Sequence, residues 1–243
     1  MRLMRIGNRR LLSLRARKVP ALMPDRRRNV TDTRYTRMAP WSLFVLLALA
    51  YLLTLGQQPF ILDFALKALP IWLLAWLVFS GREQARHRWV VVGLLCSSVG
   101  DLLLAWGQFV PGLVSFLVAH LFYIAAFAGR PVGSLPRLLL ALLMLAAITL
   151  LLIRLLPLLG EMQVPVVAYM VVILLMALCA LLGRGNHPLV ALGAMLFLLS
   201  DSLIALDRFM QPLPSASLWI MLTYYSAQGL IAGGALIGPR QGA

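Results

Sequence analysis

PRLLLALLMLAAITLLLIRLLP, residues 136–157, carries no charge between Arg137 and Arg154, and its Leu, Ala, Ile and Met residues run on without alternation. About 20 mostly apolar residues suffice for a helix to cross hydrocarbon. Within such a segment only a helix satisfies its own backbone N–H and C=O groups. Strands of a membrane barrel would alternate apolar and polar residues, which this run does not.

Seven further apolar runs flank it. The spacing predicts spans over 41–56, 61–80, 89–107, 111–129, 136–157, 163–183, 188–207 and 217–237, the first of them short. Of the 243 residues, 61% are hydrophobic and 12% charged, and mean hydropathy is +0.89. A soluble domain is nearer ~45–50% apolar, and one of this size could not hide so much apolar surface. The expected fold is all-α, a polytopic membrane bundle of eight transmembrane helices. Its expected parts are a basic, unstructured cytoplasmic tail (1–40), the membrane domain (41–237) and a cytoplasmic C-terminal tail (238–243).

The net charge of +14 is concentrated at one end. Residues 1–37 hold twelve Arg and Lys against Asp25 and Asp32, a net +10. A basic segment beside a membrane span marks the cytoplasmic side and contact with anionic lipid. Nucleic acid is not expected as a partner, because no aromatics interleave with the basic residues. MAPW (38–41) reads as an alternative start that would make the tail an optional extension. Arg9–Arg10 is not followed by the apolar run that a twin-arginine signal requires. Cys96 and Cys179 fall inside spans and read as small apolar fillers.

Charge also gives orientation. The 81–88 loop holds Arg82, Arg86 and Arg88, the 129–137 loop Arg130 and Arg137, the 183–188 loop Arg184, and the C-terminus Arg240; the 57–60 and 107–112 turns have no charge. This alternation fits eight spans with both termini cytoplasmic, in a bacterial inner membrane. Arg154 and Arg208 are out of phase. Arg154 snorkels from a helix end, and Arg208 has Asp207 beside it.

Ionisable groups inside spans are costly and mark function by default. Here they are Asp63, Lys67, Asp101, His120 and Asp201, with Ser97, Ser98, Tyr123, Tyr169, Ser200, Ser202, Tyr224, Tyr225 and Gln228 as polar companions. At 1.5 Å per residue, Lys67, Asp101, His120, Asp201 and Tyr224 all lie roughly 9–13 Å below the outer boundary. Asp63 and Lys67 are i, i+4 with the acid first, the better orientation for an ion pair. Ser97 and Asp101, His120 and Tyr123, and Tyr224 and Gln228 each share a helix face. SVGDLLLAWGQF (98–109) aligns with LLSDSLIALDRF (198–209) at an offset of one hundred, bringing Asp101 onto Asp201 and Phe109 onto Phe209. The offset covers four spans, so a four-plus-four parallel repeat would turn both aspartates toward one centre.

KALP (67–70), CSSVGD (96–101), FVPGLVSFLVAHLFY (109–123), LFLLSDSLIALDRF (196–209) and YYSAQ (224–228) resemble the YhhN-like lysoplasmalogenase family of eight-span membrane proteins, over about residues 43–237. The resemblance implies a hydrolase that splits the vinyl ether bond of a lysoplasmalogen into a fatty aldehyde and a glycerophospho-head group, with a lipid substrate and no cofactor. Asp101 and Asp201 match the family's paired acids; Lys67, His120, Tyr123, Tyr224 and Tyr225 match its other polar positions. Vinyl ether hydrolysis needs a carboxylic acid that protonates carbon and a carboxylate that steadies the cation and takes a proton from water. Either aspartate fits either role. Lys67, paired with Asp63 or free of it, would hold the phosphate; His120 and the tyrosines would orient water or the glycerol hydroxyl, with Tyr169, Ser200 and Gln228 in support.

Plainer readings exist. Asp63–Lys67 also reads as a structural ion pair, His120 as a satisfied bundle histidine, and Tyr224 and Tyr225 as interfacial aromatics. Zinc is disfavoured, since catalytic zinc takes about three His-rich ligands and one histidine lies in a span; no metal is expected. A proton-coupled carrier of a small amphiphile would use the same buried charges.

Overall fold

The computed structural model describes residues 28–57, 63–81 and 85–238. Most of the basic tail, the 58–62 turn and the last five residues lie outside these. The described residues form eight α-helices: α1 (Arg28–Leu53), α2 (Asp63–Phe79), α3 (Ala85–Ala105), α4 (Phe109–Phe127), α5 (Leu135–Leu155), α6 (Gln163–Leu182), α7 (Pro188–Phe209) and α8 (Ala216–Ile237). Two 3₁₀ turns, Leu156–Leu158 and Gly160–Met162, join α5 to α6. The chain divides into two compact units at Met38–Ala39, and every candidate site residue lies in the second. α1 starts at Arg28, inside the stretch expected as tail.

Six helices, the segments from Arg86–Ala105 to Ala216–Ile237, are long and apolar enough to cross a membrane; Met38–Leu53 is a shorter apolar helix. Local chemistry marks the starts of three of them. Gly107, at φ +73°, takes the left-handed conformation that reverses the chain between α3 and α4. Pro136 and Pro188 occupy the first turns of α5 and α7, where a missing N–H costs nothing. At the other end, Asn186 Nδ2 donates to the carbonyls of Phe127 (2.9 Å) and Cys179 (3.0 Å), tying the ends of α4 and α6 together.

The tightest pairs are α3 with α4 and α7 with α8; α2 packs on α3 and α8, α6 on α4 and α7, and α5 chiefly on α6. Small residues permit this approach, as they do between membrane helices generally. A Cβ at Gly193 would sit 2.7 Å from the Ala227 carbonyl oxygen, and one at Gly234 would sit 2.8 Å from the Val190 nitrogen. Gly93 and Gly100 likewise face the rings of Tyr123 and Phe116. The interior is apolar and aromatic around Ile71, Leu94, Tyr123, Ile173, Phe197 and Ile231. The outside is apolar too: α5 alone exposes Leu138, Leu139, Leu142, Leu143, Leu145, Leu150 and Ile153. Water would make that belt an aggregation surface, whereas lipid solvates it.

Candidate active site

The polar groups inside this bundle form two centres. The first surrounds Asp101 on α3, 3% exposed. Lys67 Nζ, from α2, stands 3.6 Å from Asp101 Oδ1 and 3.4 Å from the Asp101 carbonyl oxygen. Tyr224 on α8 donates its hydroxyl to Oδ2 at 2.6 Å. Tyr225 donates to the Lys67 carbonyl at 2.9 Å and stacks edge-on against Tyr51. Asp101 is thus held by a cation on one oxygen and a phenol on the other.

The second centre surrounds Asp201 on α7, 5% exposed. Tyr169 on α6 donates its hydroxyl to Asp201 Oδ2. Both side chains line a cleft of about 400 Å3, open space at its mouth included, between the ends of α3, α4, α6 and α7. Apart from Asp201 and the Tyr169 hydroxyl, its walls are apolar: Leu104, Leu113, Phe116, Val166 and Met170 among them, with Phe109 and Phe209. No cation lines it.

Aromatic rings fill the space between the centres. Phe197 packs on Tyr224 at 5.4 Å between centroids and on His120 at 4.7 Å, and His120 packs on Tyr169 at 5.5 Å. His120 is fully buried, and neither ring nitrogen has a hydrogen-bond partner among the described residues. Next to it Tyr123 donates to Gln228 Oε1 at 2.7 Å; among the described residues Gln228 Nε2 and Ser97 Oγ have no hydrogen-bond partner. Orphaned donors in dry surroundings cost about 1–3 kcal/mol each. Such a group persists where a substrate or a water completes it.

Several expectations about partners change. The ion pair that Lys67 makes is with Asp101 on the neighbouring helix, not with Asp63 one turn back. The i, i+4 rule describes an isolated helix surface, whereas in this bundle α3 brings a carboxylate against α2. Asp63 is buried in the first turn of α2, where the helix N-terminus favours negative charge. Ser200 donates to the Ile220 carbonyl at 3.0 Å, linking α7 to α8, and Ser202 donates back to Leu198 within its own helix. Neither joins the carboxyl centres. Among the described residues no three His, Cys, Asp or Glu side chains stand close enough to hold a metal ion.

Two features went unread in the sequence. Phe197, the ring joining the two centres, carries no polar signal. Arg208 holds its guanidinium 3.8 Å above the ring of Phe109, a wall of the cleft; its signal was its break with the charge alternation.

The YhhN family model matches residues 62–235, a stretch that contains every candidate site residue from Asp63 to Gln228. This chain belongs to the YhhN family. Among its YhhN-type relatives, lysoplasmalogenase TMEM86B of Homo sapiens is 41% identical over 177 residues, covering 71% of this chain and 75% of that protein. Lysoplasmalogenase TMEM86B of Rattus norvegicus is 36% identical over 211 residues, covering 85% and 88%. Lysoplasmalogenase of Mycobacterium tuberculosis is 35% identical over 168 residues, covering 65% and 63%. No solved structure matches this YhhN chain significantly.

Proposed function

We propose that this protein is a membrane-embedded hydrolase that cleaves the vinyl ether bond of lysoplasmalogens. The relatives' names support the reaction class. The observation that carries the reading is a pair of buried carboxyls in unlike surroundings: Asp201 in an apolar cleft with no cation among its lining residues, Asp101 against the Lys67 ammonium. Such a pair supplies one neutral acid and one carboxylate at the same pH. Asp201 is the acid and Asp101 the carboxylate.

The steps balance. Asp201 gives its proton to the outer carbon of the C=C bond, leaving an oxocarbenium ion and a carboxylate. Water adds to the carbon that bears oxygen, and its released proton goes to Asp101. In the resulting hemiacetal the C–O bond to glycerol breaks, and Asp101 returns its proton to the departing oxygen. The hemiacetal hydroxyl gives its proton to Asp201 as the aldehyde forms, so both carboxyls end as they began. His120, beside Tyr169, orients the water; Tyr224, Tyr123 and Gln228 hold Asp101 and its surroundings. Lys67 keeps Asp101 ionised and is not free for phosphate.

In this reading α1 and α2 cross the membrane with α3–α8, giving eight spans with both termini cytoplasmic, in a bacterial inner membrane. Phe44 and Tyr51 of α1 are buried in the bundle, which supports a span there. The four-plus-four repeat is supported by the likeness of the α3–α4 and α7–α8 pairings and by the contact of the aligned Phe109 and Phe209 rings, 5.8 Å apart.

Purified protein in detergent should release aldehyde from an sn-1 alkenyl lysophospholipid. In D2O one deuterium should enter the carbon next to the carbonyl. Asp101→Asn and Asp201→Asn should each lower turnover by at least ~10²-fold, the scale of a lost general acid or base, with folding intact. Near-normal turnover in either variant overturns the assignment. Proton or solute flux in liposomes without aldehyde would instead identify a carrier.

A further inference from the structure

We infer that Arg208 binds the phosphate of the lysolipid, at the mouth of the cleft whose floor is Asp201. This rests on the lysolipid reading above and assigns it a head-group site.

Asp201, Ile204, Ala205 and Arg208 fall at i, i+3, i+4 and i+7 of α7, which is one face of a helix. The first three line the cleft; Arg208 continues the same face beyond its rim. Seven residues of rise put its Cα about 10 Å from that of Asp201 along the axis. Helical side chains lean toward the N-terminus, so the arginine leans back over the cleft. Its guanidinium stacks on Phe109 at 3.8 Å and lies 6.0 Å from the Phe209 centroid, and both rings are cleft walls. Stacking uses the flat face of the cation and leaves its in-plane N–H donors pointing outward.

Those donors are available. Arg208 is exposed, and among the described residues it makes ring contacts but no ion pair or hydrogen bond. The neighbouring Asp207 makes no ion pair with it among the described residues; its Oδ1 accepts from the Leu213 N–H at 2.8 Å, closing the turn after α7. A planar fork of five donors suits phosphate oxygens. Lys67, the other cation of the buried region, is occupied by Asp101. In a lysoplasmalogen the vinyl ether and the phosphate sit at the two ends of one glycerol. With the reacting carbons at Asp201, the phosphate therefore lies toward the rim. The arginine that breaks the charge alternation stands there.

The test is equilibrium binding by calorimetry with the full chain in phospholipid-free maltoside micelles. The probes are 1-palmitoyl lysophosphatidylcholine, which has no vinyl ether, and 1-palmitoylglycerol, which also lacks the phosphate. Arg208→Gln should weaken the first by about tenfold or more, the scale of a charge-assisted contact, and leave the second unchanged. Arg208→Lys should recover part of the loss. Phe109→Leu, which removes the ring that steadies the guanidinium but also changes a cleft wall, should weaken the first probe more than the second. Arg154→Gln, at another exposed arginine, should change neither. Inorganic phosphate at tens of millimolar should compete with the first probe on wild type. Equal loss for both probes in Arg208→Gln, or no loss, overturns the inference. So does equal Arg208 dependence for diacyl phosphatidylcholine, which would make the residue a contact for bulk lipid. Binding is read without turnover. Selective loss in a protein that releases no aldehyde would retain this site and sink the hydrolase reading; turnover without selectivity would sink this site alone.

Discussion

Removing Lys67 should destabilise the protein far more than removing Lys67 and Asp101 together. The two charges are 3.6 Å apart, with side chains 11% and 5% exposed. At an effective dielectric constant near 20 their attraction is about 5 kcal/mol, most of it spent against desolvation. Lys67→Met leaves a buried carboxylate supported only by the Tyr224 hydroxyl and should cost about 3–5 kcal/mol, the usual scale for a stranded buried charge. Asp101→Asn strands the ammonium instead but keeps an acceptor for Tyr224, so its cost should fall at the lower end of the same range. In Lys67→Met/Asp101→Asn no charge is stranded, and the net cost should be about 1 kcal/mol. The singles therefore fail to add by several kcal/mol, where independent sites add to within about 0.5. Denaturant titration in mixed micelles, with circular dichroism as readout, measures all four corners of the cycle. Additive singles would refute the pairing. Coupling of Lys67→Met to Asp63→Asn in its place would show that the same-helix pair, favoured by spacing alone, is the one formed.

His120→Phe should raise stability by about 1 kcal/mol, since it removes two orphaned nitrogens from an aromatic niche, while lowering aldehyde release by about 10²-fold; thermal unfolding and turnover of the same preparation check both, and unchanged turnover would remove His120 from the mechanism. Gly193→Ala should cost about 1–3 kcal/mol, because the new methyl meets the Ala227 oxygen and, 2.9 Å away, the Ile231 nitrogen, backbone atoms that cannot yield without parting α7 from α8; a melting temperature equal to wild type would refute the close approach.

Helices α3 to α8 were legible because each is a long, mostly apolar run closed by a glycine, a proline or an arginine loop. Their ends shift by a few residues: α4 starts at Phe109 rather than 111, since Gly107 alone makes the turn. The burial of the polar groups was legible from their place within apolar runs. Their partners were not. Spacing reports neighbours on one helix, so it offered Asp63 to Lys67, whereas the packing of α2 on α3 offers Asp101. Ser200 and Tyr225 read as site groups from their polarity, and both bond backbone carbonyls of adjacent helices, Tyr225 that of Lys67 itself. In a span a hydroxyl has few acceptors but carbonyls, so polarity at a given depth does not by itself distinguish a helix tie from a site. Arg208 was visible as an anomaly of charge, but only the cleft beneath it gives that anomaly a use.

The hundred-residue offset bears on how two carboxyls come to differ. Asp101 is reached from the preceding helix, α2, by Lys67; Asp201 is reached from its preceding helix, α6, by Tyr169. At the same offset Lys67 faces Val167, and Tyr169 faces Leu69. A repeated frame would by itself yield two like acids, and like acids in a dry site oppose each other's ionisation without choosing which gives up its proton. Placing a cation on one preceding helix and a phenol on the other makes the choice. In the proposed mechanism Asp101 keeps its charge beside the ammonium, while Asp201 faces an apolar cleft with a hydroxyl as its partner. In the proposed repeat the chemistry depends less on the two aspartates than on the two positions one helix earlier, where the aligned halves differ.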